Sequence, residues 1–261
     1  MLTLEKVSRH FGGLMAVSEV DMQIEKGQIV GLIGPNGAGK TTLINCISGL
    51  DHPSGGVIRL QGADIQDQPP HRITMRGLSR TYQNIRLFAE MSVQENVIVA
   101  QHRQGSATLL HSLLQLPTHR REIQMQQDRA GELLKRFKLY DVRDAPAASL
   151  PYGDQRRLEM ARALATAPDI ILLDEPTAGM NAIETRESGD QLLKLRDEGM
   201  TLLVIEHDMS LISQVCDRVY VLNFGKMIAQ GTPDEIKHNP DVIKAYLGEE
   251  ENANEAEVEN I

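Results

Sequence analysis

The nine residues Gly34-Pro35-Asn36-Gly37-Ala38-Gly39-Lys40-Thr41-Thr42 constrain the fold of this chain more than any other segment. They have the spacing G-x-x-x-x-G-K-[ST], preceded by the apolar run Ile29-Val30-Gly31-Leu32-Ile33 and followed by Leu43-Ile44. That context predicts a buried strand running into a glycine-rich loop that opens a helix. The glycines let the backbone wrap a polyphosphate, so that successive N–H groups face its oxygens. The positive end of the following helix adds to the attraction. Lys40 then reaches the β- and γ-phosphates, and the Thr41 hydroxyl is a ligand for Mg²⁺. The segment predicts a bound nucleoside triphosphate.

At 261 residues the chain suffices for one α/β domain with a smaller appendage. No apolar run approaches the roughly 20 residues that span a bilayer. The start, Met1-Leu2-Thr3-Leu4-Glu5, lacks the pattern of a secretion signal, so the cytoplasm is the expected compartment. Cys46 and Cys216 have no metal spacing and read as two buried thiols. Of the net charge of −9, six charges are Glu249, Glu250, Glu251, Glu255, Glu257 and Glu259, which leaves an ordinary body. The stretch 249–261 reads as a disordered acidic tail. Without a basic stripe, nucleic acid is not the expected partner.

Leu2 to Val7 and Ala16 to Glu25 alternate as half-buried strands do, and Val57 to Gln61 reads as another. From Asn84 to Ser149 the pattern turns helical. Ser92-Val93-Gln94-Glu95 is a capping box, Glu122 to Lys138 has helical periodicity, and Gly105 to Pro117 reads as a loop or short helix. Ile170 to Leu173 and Thr201 to Ile205 then read as covered strands, and Asn181 to Glu198 and Asp208 to Val215 as helices. Arg218 to Leu222 and Lys226 to Gln230 suggest a last strand pair. Such alternation predicts a largely parallel sheet with helices on both faces.

Asp174-Glu175 directly follows an apolar strand. Beside a phosphate loop, a carboxylate there holds Mg²⁺, and its neighbour is placed to act as general base on water. His207 ends the next parallel strand, where such sheets gather ligands. Gln83 stands where the sheet gives way to the helical insert, as a side chain that senses metal or water.

Together these groups resemble the ATP-binding cassette (ABC) family, over Leu2 to Gly248. The resemblance implies that Phe11 stacks on adenine, that Gly34 to Thr42 are the Walker A loop, and that Gln83 is the Q-loop glutamine. Asp174 and Glu175 match Walker B and its catalytic glutamate, Ala178-Gly179-Met180-Asn181 the D-loop, and His207 the switch histidine. The family's Leu-Ser-Gly-Gly-Gln signature stands here as Leu150-Pro151-Tyr152-Gly153-Asp154. Pro151 brings neither hydroxyl nor N–H, which predicts a slower signature, and Asp154 is expected to point away from phosphate. Phe11 to Val17, Thr81 to Phe88, Gly231-Thr232-Pro233, Asn239-Pro240 and Tyr246-Leu247-Gly248 are similar to the LivG-type ATPases of branched-chain amino acid importers.

The resemblance implies an α/β P-loop NTPase fold: an ABC nucleotide-binding domain with a mainly parallel core, N-terminal antiparallel strands and a helical subdomain. The expected division is 1–83 and 166–248 for the core, 84–165 for the helical subdomain ending in the signature helix, and 249–261 for the tail. It implies ATP and Mg²⁺ (held by Thr41, Gln83 and Asp174), with Glu175, His207 and Gln83 catalytic. It also implies two transmembrane permease subunits, a second ABC ATPase (identical or related), indirectly a solute-binding protein, and a peripheral place on the inner face of the membrane. The alternative is a soluble ABC ATPase, such as an iron–sulfur assembly factor. The importer-like Asn84 to Phe88 segment favours the transporter.

Overall fold

Two sheets organise residues 1–101 and 117–246, the parts described by this computed structural model. The first sheet holds β1 (Leu2–Phe11) and β2 (Leu14–Ile24). After β3 (Ile29–Ile33) and α1 (Lys40–Ser48), it gains β4 (Gly55–Leu60) and β5 (Ala63–Asp64). Its order is β2-β1-β4-β5, antiparallel throughout. Next come α2 (Pro70–Met75), β6 (Leu78–Arg80), α3 (Val93–Ala100), α4 (Pro117–Arg136) and α5 (Tyr152–Ala165). Then follow β7 (Ile170–Asp174), α6 (Ala182–Asp197), β8 (Thr201–Ile205), α7 (Met209–Val215), β9 (Arg218–Asn223), β10 (Lys226–Gly231) and α8 (Pro233–Lys237), ahead of a helical stretch over 240–246.

The second sheet has the order β10-β9-β3-β8-β7-β6, parallel except where β10 pairs with β9. Strands β3, β7 and β8 are buried at every position, which is why they read as continuous apolar runs. Alternate residues serve opposite faces. Ile29, Ile33, Ile171, Leu173, Leu202 and Val204 pack with α3 to α7. Val30, Leu32, Ile170, Leu172, Leu203 and Ile205 pack instead with Leu43, Ile44 and Ile47 of α1 and with Leu2, Leu4 and Ile24 of the first sheet. The sequence predicts helices on both faces. Helices lie on both, and on one face α1 is joined by the antiparallel sheet, whose inward side chains need an apolar cover of their own.

Most local signals are met. Ser92 and Asn181 both make capping boxes, at α3 and α6. β1 and β2 are longer than their alternation predicts and meet in a hairpin with Phe11 opposite Leu14, whose apolar side chains are exposed. The Gly105 to Pro117 reading lies outside the described residues, except that Pro117 begins α4, and so does the reading of 249–261. Among the described residues no helix is long and apolar enough to cross a membrane.

Candidate functional site

The carboxyl ends of β3, β8 and β7 lie side by side, with Leu32 opposite Ile205 and Ile205 opposite Asp174. This edge carries the loop Gly34 to Thr42. Gly34 leaves β3 at φ 148, and a Cβ there would lie 2.1 Å from the Leu222 carbonyl oxygen of β9. No other residue fits. Gly39 caps α1 at φ 101, with neither a capping side chain nor an acidic residue in the first turn. The first N–H groups of α1 are therefore left for an anion. Lys40 folds back across the loop, and its Nζ donates to the Gly34 and Pro35 carbonyls at 2.5 and 2.9 Å.

Asp174 is buried, and its Oδ2 accepts from Arg80 Nη2 at 2.9 Å. Its amide faces the Thr81 hydroxyl at 3.3 Å. Glu175 follows at φ 49, a conformation uncommon for a residue with a Cβ and held here by its N–H donating to Ile205 O at 2.9 Å. Its Oε2 accepts from Gln83 Nε2 at 2.9 Å. On its other side, His207 Nδ1 stands 3.9 Å from Glu175 Oε1 and 3.8 Å from Glu206 Oε2. Of three residues singled out separately in the sequence, two, Gln83 and His207, thus converge on the carboxylate of the third, Glu175.

Thr41 lies in the first turn of α1, exposed. A hydroxyl, a buried carboxylate, a lysine and a row of backbone N–H groups form a donor set for a polyphosphate carrying a hard cation. Among the described residues no group of three or more His, Cys, Asp or Glu is placed to hold a metal alone.

The segment Leu150 to Asp154 enters α5, with Pro151 as N-cap. Asp154 turns onto Arg157 at 3.0 Å, as its position in a first helical turn allows. A Cβ on Gly179 would meet the Tyr152 ring at 3.0 Å, and one on Gly153 would lie 3.6 Å from Glu184 Oε1. The segment therefore packs on the Gly179 turn and the start of α6. Phe11 lies at the end of β1, half exposed, with the Arg9 guanidinium 4.5 Å over one face of its ring.

Several residues that hold this arrangement carried no sequence signal. Along one face of α5, Arg156 donates to the carbonyls of Tyr82 and Gln83 at 2.9 and 2.5 Å. Glu159 accepts from the Tyr82 N–H at 3.1 Å, and Arg162 donates to the Arg86 carbonyl. The helical spacing of three puts all of them over the Gln83 segment. Burial pushes the Glu159 carboxyl above its usual range, against the pull of the Tyr82 N–H and Arg156. Burial also lowers Arg162, against the pull of Glu159. Glu206, fully buried, accepts from the Thr177 amide at 3.1 Å and hydroxyl at 2.7 Å, tying the loop after Glu175 to the end of β8. One signal was available for it, since Glu206 directly follows an apolar strand just as Glu175 does.

Beside the Gln83 segment opens a groove of about 670 Å³, bounded among others by Tyr82, Arg86, Phe88, Glu159 and Arg162. Phe88 is half exposed at its rim.

Comparison with known proteins bears on this geometry. Residues 17–178 match the family described as ABC transporter, and residues 226–252 match the family described as branched-chain amino acid ATP-binding cassette transporter. The chain is 46% identical to the high-affinity branched-chain amino acid transport ATP-binding protein BraF of Pseudomonas aeruginosa, over 95% of this chain and 98% of that protein. It is 47% identical, with the same coverage, to the corresponding protein LivG of Salmonella typhimurium. Among solved structures, a nucleotide-free ATP-binding cassette from an ABC transporter superposes with a TM-score of 0.82 at 32% identity, over 94% of this chain and 98% of that one.

Proposed function

Because this chain belongs to the ABC transporter family and is therefore an ATPase, we propose that it is the motor subunit of an importer for branched-chain or related amino acids. The observation that carries the catalytic part is the convergence of Gln83 and His207 on Glu175, at the strand edge that also carries the phosphate loop. The solute class rests on the likeness to BraF and LivG and on the family matched by residues 226–252.

In this reading the loop N–H groups and Lys40 bind the triphosphate of ATP, and Phe11 offers its half-exposed ring to the base. Thr41 and Asp174, together with Gln83, would hold Mg²⁺, which would supply neutralisation of the phosphate charge. Glu175 orients the attacking water and takes its proton, and His207 supports the charge that develops on the γ-phosphate. The bond from Gln83 holds Glu175 until nucleotide draws Gln83 away.

The chain carries one phosphate loop and one Leu150 to Asp154 segment, so a complete site takes that segment from a second copy or a related ATPase. Gly153 and the first turn of α5 offer the backbone donors that Pro151 does not. Closure of the pair on ATP and reopening after hydrolysis would be the mechanical step. The groove beside Phe88 is where a cytoplasmic element of a permease subunit would dock, placing the chain on the inner face of the membrane. Because α5 grips the Gln83 segment through Arg156, Glu159 and Arg162, movement at the groove would reach Gln83 directly.

Affinity purification from native membranes in mild detergent, with the Glu175→Gln protein as bait and ATP present, tests this. Recovery of polytopic membrane subunits with a second ATPase is the expected result. Recovery of soluble proteins alone, with the permease intact in the extract, overturns it in favour of a soluble ATPase.

A further inference from the structure

Arg80 is the last residue of β6, and its side chain is 7% exposed. Its guanidinium is shared between two elements of the site. Nη2 donates to Asp174 Oδ2 at 2.9 Å, at the end of β7. Nη1 donates to Asn45 Oδ1 at 2.7 Å and Ser48 Oγ at 3.0 Å, both on α1. Nε is buried and has no hydrogen-bond partner among the described residues. The Tyr82 ring lies 5.1 Å from the guanidinium, and both residues line the groove.

A buried guanidinium is an expensive way to brace a helix against a strand, since an apolar side chain of similar volume does so without the desolvation cost. What an arginine adds is a planar fork with two donating edges at a fixed angle. Here one edge holds the carboxylate and the other holds the helix that carries Thr41. We propose that Arg80 is a positioning residue for the metal site: it fixes Asp174 through Oδ2, leaves Oδ1 for the cation, and sets the spacing between that carboxylate and α1. This rests on the reading that Asp174 and Thr41 hold the Mg²⁺ of the bound nucleotide. Outer partners of metal-ligating carboxylates orient them in this way. The opposite role, a guard cation competing with the metal for Asp174, predicts the opposite sign.

The probe is Mn²⁺, whose free concentration is read by electron paramagnetic resonance while it titrates the ADP-loaded protein. ADP affinity in EDTA is measured alongside. Arg80→Lys keeps a charge but cannot bridge both elements. It is expected to weaken Mn²⁺ binding about tenfold or more, with metal-free ADP affinity within about twofold of wild type. Unchanged or tighter Mn²⁺ binding overturns the proposal. So does a parallel loss of metal-free ADP affinity, which marks a merely structural role. Asn45→Ala frees one contact of the fork while sparing the Asp174 pair, and is expected to weaken Mn²⁺ binding several-fold; this keeps the test open should Arg80→Lys fail to fold. Asp174→Asn serves as control: if it binds Mn²⁺ like wild type, the underlying assignment of the metal carboxylate is what fails.

Discussion

Replacing Thr177 by Val keeps the shape of the side chain and deletes one hydroxyl. That hydroxyl donates to Glu206 Oε1 at 2.7 Å, and the carboxylate it serves is fully buried. Two backbone donors remain to Glu206, the amides of Thr177 at 3.1 Å and of His207 at 3.3 Å. The carboxylate is left under-satisfied, not bare. A hydrogen bond to a charged group contributes roughly 1.5–3 kcal/mol, and with two donors remaining a loss of about 2 kcal/mol is expected. For a protein of this size each kcal/mol moves Tm by roughly 2–4 °C, so the melt should fall by about 4–8 °C. Urea unfolding at constant m-value gives the free energy directly. Thr177→Ser, which restores the donor, should recover most of the loss. Because the same bond anchors the loop after Glu175 to the strand end bearing His207, ATP turnover should fall along with stability. A Thr177→Val protein as stable as wild type would refute the claim that Glu206 ties these two loops.

Three further outcomes follow from single residues. Glu175→Gln can still accept from Gln83 through its amide oxygen but cannot take a proton; turnover should drop by about two to four orders of magnitude while ATP binding, read by equilibrium dialysis, persists. Phe224 is 84% exposed at φ 46 in the β9–β10 turn, with Gly225 next to it at φ 77. Asn suits both positions of such a turn, so Phe224→Asn should stabilise the fold by about 1 kcal/mol in chemical denaturation, and a destabilised variant would show that the ring makes contacts of its own. Burial pushes the thiols of Cys46 and Cys216 up to about 11 and about 12, chiefly by desolvation, so both stay protonated through neutral pH. An aromatic disulfide reagent at pH 8 should find neither thiol in the native protein and both after unfolding in guanidinium.

The features legible in the sequence are those whose cause is local. Ile29 to Ile33 announce a buried strand because both faces are covered, and the glycines after it announce the loop because no Cβ fits at Gly34. The capping box at Ser92 and the helix start at Asn181 are short-range patterns, so they read directly. The three-residue strand β6 and the short helix α2 did not read. The former is too brief for any period, and the latter begins at a Pro69-Pro70 pair that suggests a break, although proline suits a first helical position. N-terminal antiparallel strands were expected, but their place over one face of the core was hidden for another reason. Alternation in Leu2 to Val7 shows that one side is buried, but not against what. Arg80 and Asp174 are 94 positions apart and Thr177 and Glu206 are 29 apart. Nothing in either neighbourhood marks such a pairing, and only the sheet order brings them together.

The most direct test of the motor assignment is uptake of a radiolabelled branched-chain amino acid into vesicles. These would be reconstituted with the complex copurified on this chain, with ATP on the side this chain faces. The account predicts uptake that requires ATP and is lost when this chain carries Glu175→Gln. Uptake unaffected by that substitution, or steady ATP hydrolysis by the complex with no solute accumulation, would contradict it.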